Sequence, residues 1–414
     1  MPALTTAFLA ALAAMVAIRW WLAGRQLHAL RAHRDEVPAP FAAVIGAAEH
    51  AKAADYTAAK LRLARVELLW EALLLLLVTL GGGLAALDAL VARLGWPPLA
   101  AGVATLALLA LALAVAGLPF ELYATFRIES RFGFNRTTPR LYLADLARSL
   151  AVAALLGLPL VTLLLALMRA AGPAWWLYAW AAWVLFGVGL AFFWPRFIAP
   201  LFNRFRPLEP GALREAVERV MRACGFAADG VFVMDGSRRS SHGNAYFTGF
   251  GRHKRIVLFD TLLERLTPAE VEAVLAHELG HFRLHHIRQR LALSFGGALA
   301  GFAALGRAAA APAAYAALGV PVPSAHAALA LFVLVVPVFT FPLGPLGSWW
   351  SRRHEYAADR YAAAHADGRQ LAAALVKLFR DNASTLTPDR WYSAWHDSHP
   401  PALDRIAALE RAAR

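Results

Sequence analysis

Cysteine is almost absent. Cys224 is the only one in 414 residues, which excludes an internal disulfide and any cysteine-built metal module, and leaves the redox compartment unreadable; Cys224 itself is expected to fill core. Charge is scarce as well. Charged residues make up 17% and hydrophobic residues 59%, whereas soluble domains hold about 25% charged and 45–50% apolar residues. That balance excludes an ordinary soluble enzyme, a disordered chain and a collagen-like one, and requires segments that face lipid. Acidic residues are the shorter charged class, with 28 Asp and Glu against 41 Lys and Arg and a net charge of +13. Such an excess suits nucleic acid or anionic lipid, and its placement along the chain decides between them.

What the chain does have is long apolar runs, at Ala3 to Ile18, Ala72 to Leu87, Leu99 to Phe120, Ser149 to Met168 and Ala174 to Trp194. Two weaker runs follow. Leu291 to Leu305 stops at Arg307, and Ala327 to Trp350 carries Pro337, Pro342 and Pro345, so both are expected to pack within protein rather than face lipid. The first run has no basic residue before it and is followed by Arg19, Trp20, Trp21 and Arg25, which favours a retained span over a signal peptide. Seven spans then leave only Arg93, Arg169 and Arg307 of the basic residues on one side. By the positive-inside rule the polar bulk is expected in the cytoplasm, and the basic residues are spread over loops rather than gathered in a nucleic-acid reading module. The expected division is a membrane region at 1–195, a polar block at 196–290, two spans at 291–350 and a second polar block at 351–414.

The first polar block reads as a helix over Pro210 to Cys224 and apolar segments at Val231 to Met234, Ala245 to Phe250 and Ile256 to Phe259, forming a small sheet. Thr267, Pro268 and Glu270 then announce a helix, with Thr as N-cap, Pro at the first position and Glu closing a capping box. Within it lies His277-Glu278-Leu279-Gly280-His281. Spacing of four puts both imidazoles on one helix face, where one Zn²⁺ can be held, with Glu278 placed to handle the proton of an activated water. In a chain of this His and Glu content the pattern arises by chance about once in fifty sequences.

A catalytic zinc needs a third protein ligand. His285 lies eight residues from His277, about 12 Å along the axis, and cannot share the metal; with His286 it is expected at the basic end of the same helix. Ser351 to Asp359 offers Glu355 and Asp359 one turn apart, suited to a third ligand and a carboxylate that orients a ligand histidine. On spacing alone, a solvated acidic face paired with Arg352 and Arg360 is the better reading of these two.

The combination of H-E-L-G-H with S-R-x-x-E-x-x-A-D after further spans resembles the integral-membrane zinc endopeptidases of the CAAX prenyl protease type. Further blocks carry the likeness along most of the chain: Phe126 to Glu129, Phe132 to Asn135, Pro200 to Asn203, Asp235 to Ser240, Asn244 to Gly249, Arg255 to Leu263, and His399-Pro400-Pro401 with Arg405. The resemblance implies one Zn²⁺ per chain on His277, His281 and Glu355, Glu278 as general base and acid, Asp359 behind a ligand, and His399 as a catalytic group stabilising the oxyanion. Asn244, Tyr246 and Arg405 are expected to bind substrate, Asn244 by opening a strand edge that an extended peptide can join. It also implies a mainly α polytopic fold, with about seven transmembrane helices enclosing a chamber and a zincin-like domain containing a small β-sheet.

The expected substrate is therefore a peptide or membrane-protein tail, prenylated or not, met at the bilayer and without nucleic acid. Short connections and the absence of an ER-retrieval signal favour a bacterial inner membrane. The competing class is a transporter or channel with a structural metal site, but the spans hold few ionisable residues, Glu71 and Asp88 lying near their ends.

Overall fold

The computed structural model describes residues 2–226, 230–248 and 255–412. Its membrane part is built from long apolar helices: α1 (Ala3–Ala32), the pair α2 (Ala47–Val78) and α3 (Gly83–Ala92), α4 (Pro98–Tyr123), α5 (Pro139–Ala170) and α6 (Trp175–Phe193). The second expected span is this pair, bent by 52°, and counting it as one span gives seven among the described residues. The bend has a local cause. Gly81, Gly82 and Gly83 interrupt the run, Gly82 takes the left-handed φ of +74°, and a Cβ on Gly81 would fall 2.7 Å from the Leu77 carbonyl oxygen. Gly319 closes against the same turn, with no room for a Cβ beside Thr79 O at 2.3 Å.

A short helix α7 (Ala199–Phe202) leads into the polar block, which holds α8 (Ala212–Ala223), strands β1 (Phe205–Pro207), β2 (Val231–Met234), β3 (Ala245–Thr248) and β4 (Arg255–Phe259), a turn α9 (Asp260–Leu263) and α10 (Pro268–Arg283). Gly249 and Phe250, the expected end of the third strand, lie outside the described residues. The sheet order is β1-β2-β4-β3, with β2 and β4 parallel and both outer pairs antiparallel, so β3 is an edge. Buried Ile256 and Leu258 of β4 meet Val217 and Val220 of α8 and Val271, Leu275 and Leu279 of α10. Cys224 sits in this core, as expected.

The chain then returns to the membrane through α11 (His286–Ala309), turns at α12 (Pro312–Ala317), and descends through α13 (Ala325–Thr340) into α14 (Gly344–His365). Pro342 and Pro345 mark the joint between these two, which pass together as a single apolar rod. Of the two runs expected to pack within protein, only this rod does so, with 33% of its apolar window buried; α11, at 6%, is as open on its sides as α6. Helices α15 (Gly368–Asp381), α16 (Arg390–His396) and α17 (Ala402–Ala412) complete the chain, α15 and α17 closing the core with Leu371, Ala374, Ile406 and Leu409.

Loops between the membrane helices are sewn to the polar block. Arg239 donates to both oxygens of Asp145 on α5 (2.8 and 3.0 Å) and to Asn203 Oδ1 (2.9 Å), while Asn135 pairs with Ser240 as an isolated bridge. Ser237 donates its N–H and hydroxyl to Asp260 (2.8 and 2.5 Å). Bidentate, charge-assisted contacts of this kind fix geometry as well as energy. Sequence blocks singled out by resemblance thus meet at one seam beside the HELGH helix.

Candidate active site

The capping box forms as its residues dictate. Thr267 N donates to Glu270 Oε2 (2.8 Å) and Glu270 N to Thr267 Oγ1 (3.3 Å), and Lys377 of α15 holds the same carboxylate at 2.7 Å. From this fixed start, α10 carries His277 and His281 on the face packed against α14. Gly280 permits the contact: a Cβ there would lie 3.1 Å from Ala358 Cα and 3.1 Å from Tyr361 Cβ. With small residues on both sides, Glu355 of α14 reaches the two histidines. Its Oε1 lies 3.2 Å from His281 Nε2 and its Oε2 3.4 Å from His277 Nε2, while the two Nε2 atoms are 3.2 Å apart.

These three residues fit a metal cradle. Their ligand atoms all lie within 4.8 Å of one another, His277 and Glu355 are buried, and Glu355 Oε2 is a buried acceptor without a hydrogen-bond donor. Two imidazoles and a carboxylate converging in this way form the donor set of a catalytic zinc, which leaves a position free.

Behind the cradle, Asp359 Oδ1 stands 2.8 Å from His277 Nδ1, and Arg405 of α17 holds Asp359 by two bonds of 2.8 Å from Nε and Nη2. Arg405 is 5% exposed, and its guanidinium is also 3.2 Å from the His277 ring and 3.7 Å from Glu355 Oε2. It therefore braces the ligands, a role beyond the substrate contact expected of it, and it also lines the cavity in front of them. Arg352 is not paired with the acidic face either: its Nη1 donates to the carbonyls of Asp397 (2.8 Å) and Ser393 (3.2 Å), tying α14 to the segment that carries His399.

A cavity of about 560 Å³ opens in front of the cradle, with Glu278, Asn244 and His399 on its wall and Val274, Leu371 and Leu375 along an apolar side. Burial raises the Glu278 pKa, against the opposing effect of the two imidazoles, which makes its carboxylate a stronger base. His399 Nε2 points to Glu355 Oε2 at 3.6 Å across the opening, with 65% of its side chain exposed; crowding by neighbouring atoms and Arg405 lower its pKa, although Glu355 opposes this. Asn244 stands at the start of edge strand β3, its Oδ1 taken by Ala245 N–H at 2.8 Å. Strand alternation sends Ala245 to the cavity and Tyr246 to the other face, where its ring packs on Phe259 and its hydroxyl lies 4.0 Å from Met234 Sδ. Tyr246 is therefore not on the cavity wall, contrary to expectation.

Sequence reading missed two groups. His286 does not continue α10: Leu284 ends that helix and His285 takes a left-handed φ of 60°, so His286 opens α11 and turns back. Its Nδ1 pairs with His281 Nδ1 at 2.9 Å, and its ring stacks on His354 at 3.9 Å. The other is Asn382, whose side chain bonds Gly243 N–H (3.1 Å) and Gly243 O (3.4 Å) just before Asn244. A histidine five positions after His281 was the one available signal for the first; the second left none.

Comparison with known proteins agrees with this geometry. Residues 26–204 match the CAAX prenyl protease N-terminal model, described by five membrane helices, and residues 207–413 match the model of peptidase family M48. The chain is 37% identical over 310 residues to a CAAX prenyl protease 1 homolog of Oryza sativa subsp. japonica, covering 72% of this chain and 70% of that one. It is 33% identical over 336 residues to the Homo sapiens homolog, with 72% and 71% covered. The crystal structure of S. mikatae Ste24p superposes with a TM-score of 0.91 at 29% identity over 99% of both chains. Fold and site thus define a multi-pass membrane metalloendopeptidase. The chain belongs to peptidase family M48, whose members are zinc-dependent in general, and nothing supports the transporter alternative.

Proposed function

We propose that this protein hydrolyses peptides or membrane-protein tails with one Zn²⁺ held by His277, His281 and Glu355. The convergence of two Nε2 atoms on one buried carboxylate, His281 at its Oε1 and His277 at its donor-free Oε2, carries this reading. When bound, the metal supplies Lewis acidity for a water and for the scissile carbonyl. Glu278 takes the proton of the attacking water and returns it to the leaving amine, a role its burial-raised pKa favours. His399 donates a hydrogen bond to the developing oxyanion. Asp359 keeps His277 in the tautomer that presents Nε2 to the cradle. The substrate lies extended along edge strand β3 from Asn244, with an apolar side chain against Val274 and Leu371.

In this reading the polar blocks at 196–290 and 351–414 form one catalytic unit, and the membrane regions at 1–195 and 291–350 hold it at the cytoplasmic face of a bacterial inner membrane. The names of the relatives support a prenylated tail as one substrate, and no nucleic acid is involved. The test is cleavage of paired prenylated and unmodified peptides by purified protein. Glu278→Gln should bind zinc stoichiometrically yet lose at least a hundredfold in rate; full activity in that variant sinks the mechanism. Equal rates on both peptides would remove prenylation from the reading.

A further inference from the structure

A basic cavity lies away from the peptidase site. A space of about 790 Å³ opens between α2 and the end of α4, where residues Ala124–Glu129 form a π-turn, a distortion common at binding sites. Arg62 enters from α2, and Arg127 and Arg131, four apart, from the other side. No carboxylate lines it. Among the described residues none of the three arginines has an ion pair within 4 Å: nearby Asp55 is bonded to Arg34 at 2.8 Å and feels Arg131 and Arg62 only at longer range, and Glu129 is held by the Tyr56 hydroxyl.

Its depth is marked by aromatics. Arg65, one turn from Arg62, lies over the Trp20 ring at 4.5 Å, and Trp20 and Trp21 are exposed in the manner of an interfacial belt. On the bilayer side of the arginines the lining turns apolar, with Val66 and Tyr123. From Val66 an exposed stripe of Leu69, Leu73 and Leu77 continues along α2 toward its apolar end, at the spacing of one helix face.

We propose that this cavity binds an anionic phospholipid, its phosphate held by Arg62, Arg127 and Arg131 and an acyl chain laid along Val66, Leu69, Leu73 and Leu77. A free phosphate would use the arginines alone. The apolar stripe leading out of the cavity at the headgroup level is what favours lipid. Because α2 and the π-turn also support the seam beside Ser240, the lipid would brace the membrane edge of the catalytic block.

The experiment measures lipid bound to the full-length protein by native mass spectrometry. Protein in mixed micelles is titrated with phosphatidylglycerol, phosphatidylcholine or inorganic phosphate. Phosphatidylglycerol should bind at least tenfold tighter than phosphatidylcholine, and millimolar phosphate should not displace it. Replacing Arg62, Arg127 and Arg131 together by Gln should weaken it on the order of fivefold per arginine, while hydrolysis of a soluble peptide persists. Equal binding of the two lipids, undiminished binding in the triple variant, or displacement by phosphate overturns the proposal. Should the triple variant fail to fold, the titration on unaltered protein decides alone.

Discussion

Asp359 stands between His277 and Arg405, 2.8 Å from an imidazole Nδ1 on one side and 2.8 Å from two guanidinium nitrogens on the other. All three are buried, so the contact couples a metal-binding face to α17, some 50 residues further along the chain. Removing one member of a buried ion pair leaves the other charge stranded, at a cost of about 3–5 kcal/mol. Asp359→Ala should therefore lower the melting temperature and weaken zinc affinity about 10- to 100-fold, read by zinc retention against a chelator. The double variant with Arg405→Met should recover stability but not zinc affinity. If it recovers both, Asp359 has no orienting role.

Gly280 sets the distance between the two helices that share the metal. A Cβ at 3.1 Å from Ala358 Cα meets backbone rather than a flexible side-chain end, so Gly280→Ala must push α10 and α14 apart. The expected result is a stability loss of about 1–3 kcal/mol together with weaker zinc binding, because Glu355 moves with α14. Unfolding curves and metal content measured on the same sample check both; unchanged zinc binding would show that the cradle tolerates the displacement.

How much of this was legible beforehand depended on how local each cause was. The cap at Thr267 and the strands at Val231–Met234 and Arg255–Phe259 follow from neighbouring residues and formed where expected, whereas β1, three residues long, gave no pattern to read. Glu355 could not be separated from a solvated acidic residue by spacing, since its partners arrive through two intervening spans; resemblance, not periodicity, identified it. The bracing role of Arg405 was not legible because its partner, Asp359, lies 46 positions away in sequence. The bend at Gly81 to Gly83 disappeared inside a hydropathy window that averages over both halves. His286 stayed hidden because the chain break ahead of it relies on a left-handed histidine, which sequence rules reserve for glycine or asparagine.

Acid should loosen the tie between α1 and the C-terminal segment. Arg25 grips both oxygens of Asp389 at 3.1 and 2.8 Å, and Asp389 also caps α16 by accepting from Trp391 N and Tyr392 N at 3.0 Å each. Burial alone would raise the Asp389 pKa; the Arg25 bonds and backbone donors outweigh it and hold the carboxylate below its ordinary value. A depressed folded-state pKa contributes stability that is full above the unfolded value of about 3.9 and is lost as pH falls through the folded one. Asp389→Asn keeps a good cap but removes the charge, so it should cost about 1.5–3 kcal/mol at pH 7. The gap to the parent protein should close below pH 4 in a pH series of thermal unfolding. A gap that is constant with pH would mean that the carboxylate contributes no charge.

Asn382 offers the sharpest test of the substrate edge, because it touches neither the cradle nor Glu278. Its amide holds both polar groups of Gly243, so it fixes the backbone immediately before Asn244 while lining the far end of the same cavity. An extended peptide added to β3 depends on that edge being in register, whereas water activation does not. Asn382→Ala should therefore raise KM by about tenfold, the effect of losing one or two hydrogen bonds worth of positioning, with kcat on saturating peptide and zinc content nearly unchanged. Asn382→Asp retains the acceptor for Gly243 N–H and should recover most of the loss. A fall in kcat at constant KM would place the peptide elsewhere in the cavity and detach β3 from substrate binding.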